Sequence, residues 1–331
     1  MSIAWHQKWA FIPLVIGLGL LASCGSPTRE ANSPAPSPQT ASTNAPTSNV
    51  KVVATSTVLC DMTQQIAANT VNLTCLLKPG ADAHVYEASP DDRKAIETAN
   101  LILYSGYDFE PSLIKLIQST SNAAAKVAIA EVAVPKPQQF EEHGETVPDP
   151  HVWHNAQNGV KMVSEVERNL SKLVPANAAL YAKNAQALTV QLTQIDGWIR
   201  SSIATIPESS RKLVTTHDAL GYYSTAYNIP VEGALQGIST DEKPTASRVK
   251  ELVQTIQATK VPTIFAETAI NSQLIQTVAR ESNVKVSDRE LFADGLGEPG
   301  SEGDTYPKML AANTQTIVEG LGGKFTPFTA K

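Results

Sequence analysis

The sequence contains no loop that would cradle a phosphate. Its 18 glycines form neither GxGxxG nor GxxxxGK[ST], which argues against a nucleotide enzyme. Runs of one charge sign are also missing, and 26 Lys+Arg against 32 Asp+Glu leave a net charge of −6, so nothing recommends nucleic acid as a partner. HExxH does not occur, and neither does the Cys–His spacing of a zinc finger. Cysteine is scarce, with only Cys24, Cys60 and Cys75. The one N-terminal apolar stretch is too short for a comfortable membrane span, and no spanning segment follows it. What remains is 331 residues, 42% hydrophobic and 18% charged, a composition for a globular body of roughly two domains at about 150 residues each.

Residues 1–23 read as a leader: Lys8 lies in a short polar start and Trp9–Ala22 form the apolar stretch. It ends Leu21-Ala22-Ser23-Cys24, which resembles a bacterial lipobox and marks Cys24 for lipidation. Several acyl chains, each contributing about 0.8 kcal/mol per buried CH₂, would anchor the mature chain outside the cytoplasm, periplasmic or at the cell surface. Residues 24–49 are rich in Ser, Pro, Thr, Ala and Asn, a tether with too little apolar surface for a core. Cys60 and Cys75 are left as an even pair in an oxidising compartment, either disulfide-bonded or two buried thiols.

From Val50 onward, short β-branched runs alternate with helical patterns. KVVATST, VNLTCLL, NLILYSG and KVAIAEV mark strands of a first series, and RKLVTTH, IPVEGAL, VPTIFAET and VKVSDREL mark a second. The pattern predicts an α/β fold of two (β/α)-type lobes with parallel sheets. Between the series, residues 176–206 lack a turn cluster, and Leu188, Leu192, Ile195 and Ile199 recur on one helical face. A helix of roughly 30 residues, about 45 Å long, would be a rigid connector between an N-terminal lobe (50–175) and a C-terminal lobe (207–331). Gly197 is its weak point.

In parallel α/β sheets, ligands gather beyond the carboxyl ends of strands. His84, His217, Glu267 and Asp294 each follow a predicted strand, and His151 lies in VPDPHVWHN before a helical pattern. His84, His151, His217 and Asp294 lie 67, 66 and 77 residues apart, so only a cleft between lobes could gather them. Three imidazoles and a carboxylate suit tetrahedral Zn²⁺, while a bidentate Asp294 would raise the coordination number for Mn²⁺. Zn²⁺ is favoured and Mn²⁺ is the alternative. Glu267 could orient a ligand imidazole or be a solvated cleft carboxylate. His154 could compete with His151 as a ligand, support a ligand, or lie at the surface. Trp153, Tyr222 and Tyr223 read as packing residues.

These segments, in the order KPGADAHVYEASPDD, DPHVWHN, THDALGYYSTAYNIP, GISTDEKPTASRV, IFAETAINSQLIQTVARE and LFADGLGEPGSEGDTYPKML, resemble the metal-specific substrate-binding proteins of bacterial ABC importers. That class is sometimes called lipoprotein adhesins. The resemblance implies two lobes joined by one long helix, with the metal between them. It places the four ligands on His84, His151, His217 and Asp294. Zinc-type members usually carry His at the third position, as here, where manganese- or iron-type members usually carry Glu. The long His-rich loop of many zinc-type members is not matched, because FEEHGETVPDPH contains only His143. The implied protein is a non-catalytic monomer that hands its ion to a membrane permease driven by a cytoplasmic ATPase. Cell adhesion on the same fold, and a zinc-dependent envelope hydrolase with Glu267 as base, are the competing readings.

Overall fold

The computed structural model describes residues 49–142 and 144–330. The leader, Cys24, nearly all of the tether and His143 lie outside the described residues. The described residues form one compact unit.

The chain begins with β1 (Lys51–Ala54), α1 (Thr57–Ala67), β2 (Asn72–Cys75), α2 (Pro90–Thr98), β3 (Leu101–Tyr104), α3 (Pro111–Ser119) and β4 (Ala125–Ala128). Strand entry into helix is set by local chemistry. Ser56 caps α1 through the Leu59 N–H, and Ser89 forms a capping box with Asp92 ahead of Pro90. The four strands are parallel in the order β2-β1-β3-β4. Every strand-to-helix loop therefore emerges at one edge.

Next come α4 (Ile129–Ala133), a hairpin of β5 (Gln139–Glu142) and β6 (Glu145–Pro148), α5 (Ala156–Leu173) and α6 (Ala178–Ile203). The second series is β7 (Leu213–Thr215), α7 (Gly221–Tyr227), β8 (Val231–Ala234), α8 (Ala246–Thr259), β9 (Thr263–Ile264), α9 (Gln273–Ser282), β10 (Lys285–Val286) and α10 (Tyr306–Gly320). Its strands form two parallel pairs, β7-β8 and β9-β10. The Phe265 N–H donates to the Val214 carbonyl at 2.9 Å and sets the pairs side by side. The resulting order, β8-β7-β9-β10, repeats that of the first sheet.

All eight predicted strand segments contain a strand, and two local features differ from expectation. KVAIAEV is a strand only to Ala128, after which α4 begins, because a short apolar run fits either element. The stretch before the DPH motif contains the antiparallel hairpin β5-β6, with Gly144 at φ +81° in its turn.

The expected connector is α6, 26 residues or about 39 Å, shorter at both ends than the expected 176–206. Tyr181, Leu188, Leu192, Ile195, Ile199 and Ile203 form its buried stripe. It packs against α1 and α5 of the first series and α10 of the second. Near its start Asn184 donates to the Ile66 carbonyl at 2.9 Å, and near its end Arg200 donates to the Ala226 carbonyl at 2.6 Å. Its buried face lies within one large core that also includes Val52, Ile102, Tyr306 and Leu310. A smaller core, built on Val214, Leu252, Ile256, Ile264 and Ile275, joins α8 and α9 to the second set of strands.

Candidate metal centre

His84 lies in the loop after β2, His217 directly after β7, and Asp294 in the loop after β10. His151 follows β6 at the start of a single 3-10 turn, Val152–His154. The fold brings these four together, with one donor atom from each lying within 4.8 Å of the others. Oδ1 of Asp294 is 3.2 Å from His217 Nε2, 3.3 Å from His151 Nε2 and 3.8 Å from His84 Nε2, and the His84 and His151 Nε2 atoms are 3.3 Å apart. Ligand bonds of about 2.0–2.2 Å imply tetrahedron edges of about 3.3–3.6 Å, so the spacing fits a small cation at the centre. His217 Nε2 and both Asp294 oxygens are buried and make no hydrogen bond, which also fits donors turned toward an ion.

Each donor is held from behind. Asp82 and Asp149 both stand two residues before a histidine, and each accepts that histidine's backbone N–H, at 3.0 Å for His84 and 2.9 Å for His151. The same Asp149 oxygen accepts the His151 Nδ1–H at 2.9 Å, which leaves Nε2 facing the centre. Glu267 does this for His217: Oε2 accepts the Nδ1–H, and Oε1 accepts the Thr216 and His217 backbone N–H groups at 3.1 Å each. Glu267 is thus buried and fully engaged by the His217 ring and backbone, and the solvated reading fails. Phe109 meets His84 edge-on with ring centroids 5.2 Å apart.

Asp294 is positioned through its neighbours. The Ala293 carbonyl accepts from Trp153 Nε1–H at 3.2 Å and from His154 Nε2–H at 2.8 Å. On the other side, the Leu296 N–H donates to Thr57 Oγ1 at 2.8 Å. A side chain at Gly295 would meet that same oxygen at 2.7 Å, so glycine permits the close approach. His154 is fully buried and aimed at Ala293, not at the donor cluster, which removes its surface reading. Tyr222 does more than pack: its hydroxyl donates to the Asp149 carbonyl at 3.3 Å and accepts the Gln138 N–H at 2.9 Å.

The electrostatics follow from burial among opposite charges. Burial opposes a charge on His217, but Asp294 and Glu267 on either side outweigh it and raise the imidazole well above its ordinary value. Burial likewise opposes His151, and Asp149 with Asp294 overcomes it, so this ring is raised too. Burial would push Asp294 up, yet His217 and His84 draw it well below the usual carboxylate range. His154 is pushed down to about 3, mainly by burial, and is neutral.

The profile of the family described as "Zinc-uptake complex component A periplasmic" matches residues 52–320. This chain belongs to that family. It is 34% identical over 276 residues to the manganese-binding lipoprotein MntA of Bacillus subtilis, covering 82% of this chain and 90% of that one. The manganese ABC transporter substrate-binding lipoprotein PsaA of Streptococcus pneumoniae is 32% identical over 279 residues, 82% of this chain and 89% of that one. Among solved structures, the periplasmic zinc binding protein TroA of Treponema pallidum superposes with a TM-score of 0.78 at 33% identity, covering 82% of this chain and 99% of that one. PsaA is named as a component of an ABC transporter, and MntA and TroA are named as metal-binding proteins. Within this zinc-uptake-family chain, sequence reasoning overlooked Asp82, Asp149 and Phe109. The twice-repeated Asp-x-His was the signal available for the two carboxylates, while nothing local marks Phe109.

Proposed function

We propose that the chain is the extracytoplasmic substrate-binding component of an ABC importer, taking up one divalent transition-metal ion through His84, His151, His217 and Asp294. Zn²⁺ is the favoured cargo and Mn²⁺ the alternative. The observation that carries the reading is the convergence of three imidazole Nε2 atoms and a carboxylate oxygen at 3.2–3.8 Å with no hydrogen bond closing the cluster at His217 or Asp294. Three nitrogen donors favour zinc over manganese, which prefers more oxygen ligands. Names among the relatives point to both metals, MntA and PsaA to manganese and TroA to zinc.

Four protein donors around the ion leave no open position for a reactive water, the arrangement of a carrier. Glu267, engaged by an imidazole and two backbone N–H groups, is not free to act as a hydrolytic base. The partners are a membrane permease and its cytoplasmic ATPase. Residues 1–23 act as the leader, lipid on Cys24 anchors the monomer, and residues 24–49 tether two lobes, 50–175 and 207–331, joined through 176–206.

Elemental analysis after exposure to equal Zn²⁺ and Mn²⁺ tests this. One ion per chain, mostly zinc, is expected for the wild type and none for Asp294→Ala or His217→Ala. Retention of the ion by both variants would sink the ligand assignment, and a predominance of manganese would overturn the metal preference.

A further inference from the structure

Asp82 has a second partner besides the His84 backbone. Its Oδ2 accepts the hydroxyl of Thr240 at 2.6 Å, 158 residues further along the chain. Thr240 lies between β8 and α8, on a segment fastened to the His217 loop. There the Gln236 N–H donates to the Thr216 carbonyl at 2.9 Å, and the Asp218 N–H donates to the Gly237 carbonyl at 3.0 Å. The Gln236 side-chain amide then donates to the carbonyls of Thr240 and Glu242, both at 3.1 Å. One hydrogen-bonded path therefore runs from His84 through Asp82, Thr240 and Gln236 to the residues flanking His217. Within it, the Asp82–Thr240 bond crosses from the first strand series to the second.

The same segment borders a cavity of about 380 Å³ whose walls include His84, Tyr107, Asp108, Ile238 and Asp241. Of the four donor residues, His84 alone lines it, and at 7% exposure it is the least buried, ahead of Asp294 at 4% and of His151 and His217 at 0%. An ion leaving by this side passes His84 first, and the segment holding Thr240 forms one of the walls along that way, through Ile238, Ser239 and Asp241.

Building on the metal-binding reading above, we propose that the Asp82–Thr240 hydrogen bond is a latch. It positions His84 in the donor cluster and sets the rate at which the bound ion leaves toward the cavity. Asp82 and Thr240 are positioning residues that do not touch the ion. Losing a hydroxyl bond to a carboxylate should speed release by about tenfold or more. Association passes through the same open segment, so removing the bond should not slow it.

The test uses purified protein loaded with Zn²⁺ and stopped-flow release to a chromogenic chelator, comparing wild type, Thr240→Val and Thr240→Ser. Thr240→Val preserves shape on a partly buried loop and removes the donor, whereas Thr240→Ser keeps it. The expected result is about tenfold faster release from Thr240→Val, an association rate no slower than that of the wild type, one ion per chain throughout, and wild-type release from Thr240→Ser. An unchanged release rate in Thr240→Val, or equal acceleration in Thr240→Ser, would overturn the latch. Asp82→Ala is a second variant, expected to release at least as fast as Thr240→Val, and wild-type release from it would also overturn the latch. If the wild type bound no ion, or if Asp294→Ala still held one, the metal-binding reading itself would fail. Binding lost in Asp294→Ala with release insensitive to Thr240 would refute the latch alone.

Discussion

Glu267 stands behind His217, accepting the Nδ1–H of a ring whose Nε2 lies 3.2 Å from Asp294 Oδ1. The carboxylate fixes the tautomer, strengthens the ring as a donor, and ties down the backbone at Thr216 and His217. Glu267→Gln keeps the shape but removes the charge, and its amide can face the imidazole with the wrong group. Zn²⁺ affinity should fall by about 10–100-fold while stoichiometry stays at one. Competition titration against a chelator of known affinity measures this, and an unchanged affinity would mean that Glu267 does not orient the ligand.

The raised His151 and His217 imidazoles make metal uptake proton-linked. Both hold protons in the metal-free protein at pH values where free imidazole, near 6.5, has lost its own. Zn²⁺ must displace them, so affinity should rise with pH through and beyond neutrality, with proton release on binding. Stability has the opposite sign for the metal-free fold. The contribution of the two imidazolium–carboxylate sets is fully present below about 6.5 and is lost as pH rises through the raised folded values. Melting curves should therefore show the loaded form gaining on the metal-free form as pH increases above about 6.5. Calorimetry in buffers of different ionisation enthalpy counts the protons, and a count of zero at neutral pH would refute the linkage.

How much of this could be read from the chain depends on the range of the signal. The β-branched runs located the strands, because alternation and length are local properties; the polar QFEE and ETVP segments concealed the hairpin, which rests on a turn at Gly144. The donors were visible because each follows a strand end or a distinctive motif. Their spacing was not, since it depends on packing between loops hundreds of residues apart, such as Leu296 on Thr57. His154 shows the limit well: three residues from His151 on a helical turn, it looked like a rival ligand, yet its ring turns to the Ala293 carbonyl.

A disulfide joins Cys60 on α1 to Cys75 at the end of β2, with Cα atoms 5.6 Å apart and 15 residues of separation. A closed loop of this length contributes about 3 kcal/mol in the chain-entropy model. Cys60→Ala/Cys75→Ala should lower the urea-unfolding free energy by about 2–4 kcal/mol with metal stoichiometry intact, because neither residue is one of the four donors. A double variant as stable as the wild type would show that the bond is dispensable.

Gly197 lies exposed on α6, and a Cβ placed there meets nothing within 4 Å. The helix gains no packing from glycine at this point and loses backbone entropy by it. Gly197→Ala should stabilise the protein by about 0.5–1 kcal/mol and leave Zn²⁺ affinity unchanged. Thermal and urea unfolding measure the first effect and titration the second. A destabilised variant would imply that the connector needs its glycine for bending.

His154 can be separated from the ligands by its response to substitution. Its Nε2–H supports the Ala293 carbonyl from a fully buried ring, and burial holds it neutral with a pKa of about 3. His154→Phe keeps a flat aromatic ring, somewhat larger than imidazole, and gives up the hydrogen bond, leaving Trp153 donating to that carbonyl. A loss of about 1–3 kcal/mol in stability is expected, with a loosened Asp294 loop and several-fold weaker Zn²⁺ binding. Stoichiometry should stay at one ion per chain, in contrast to Asp294→Ala. Loss of the ion on substituting His154, with the fold intact by circular dichroism, would return this residue to the ligand set.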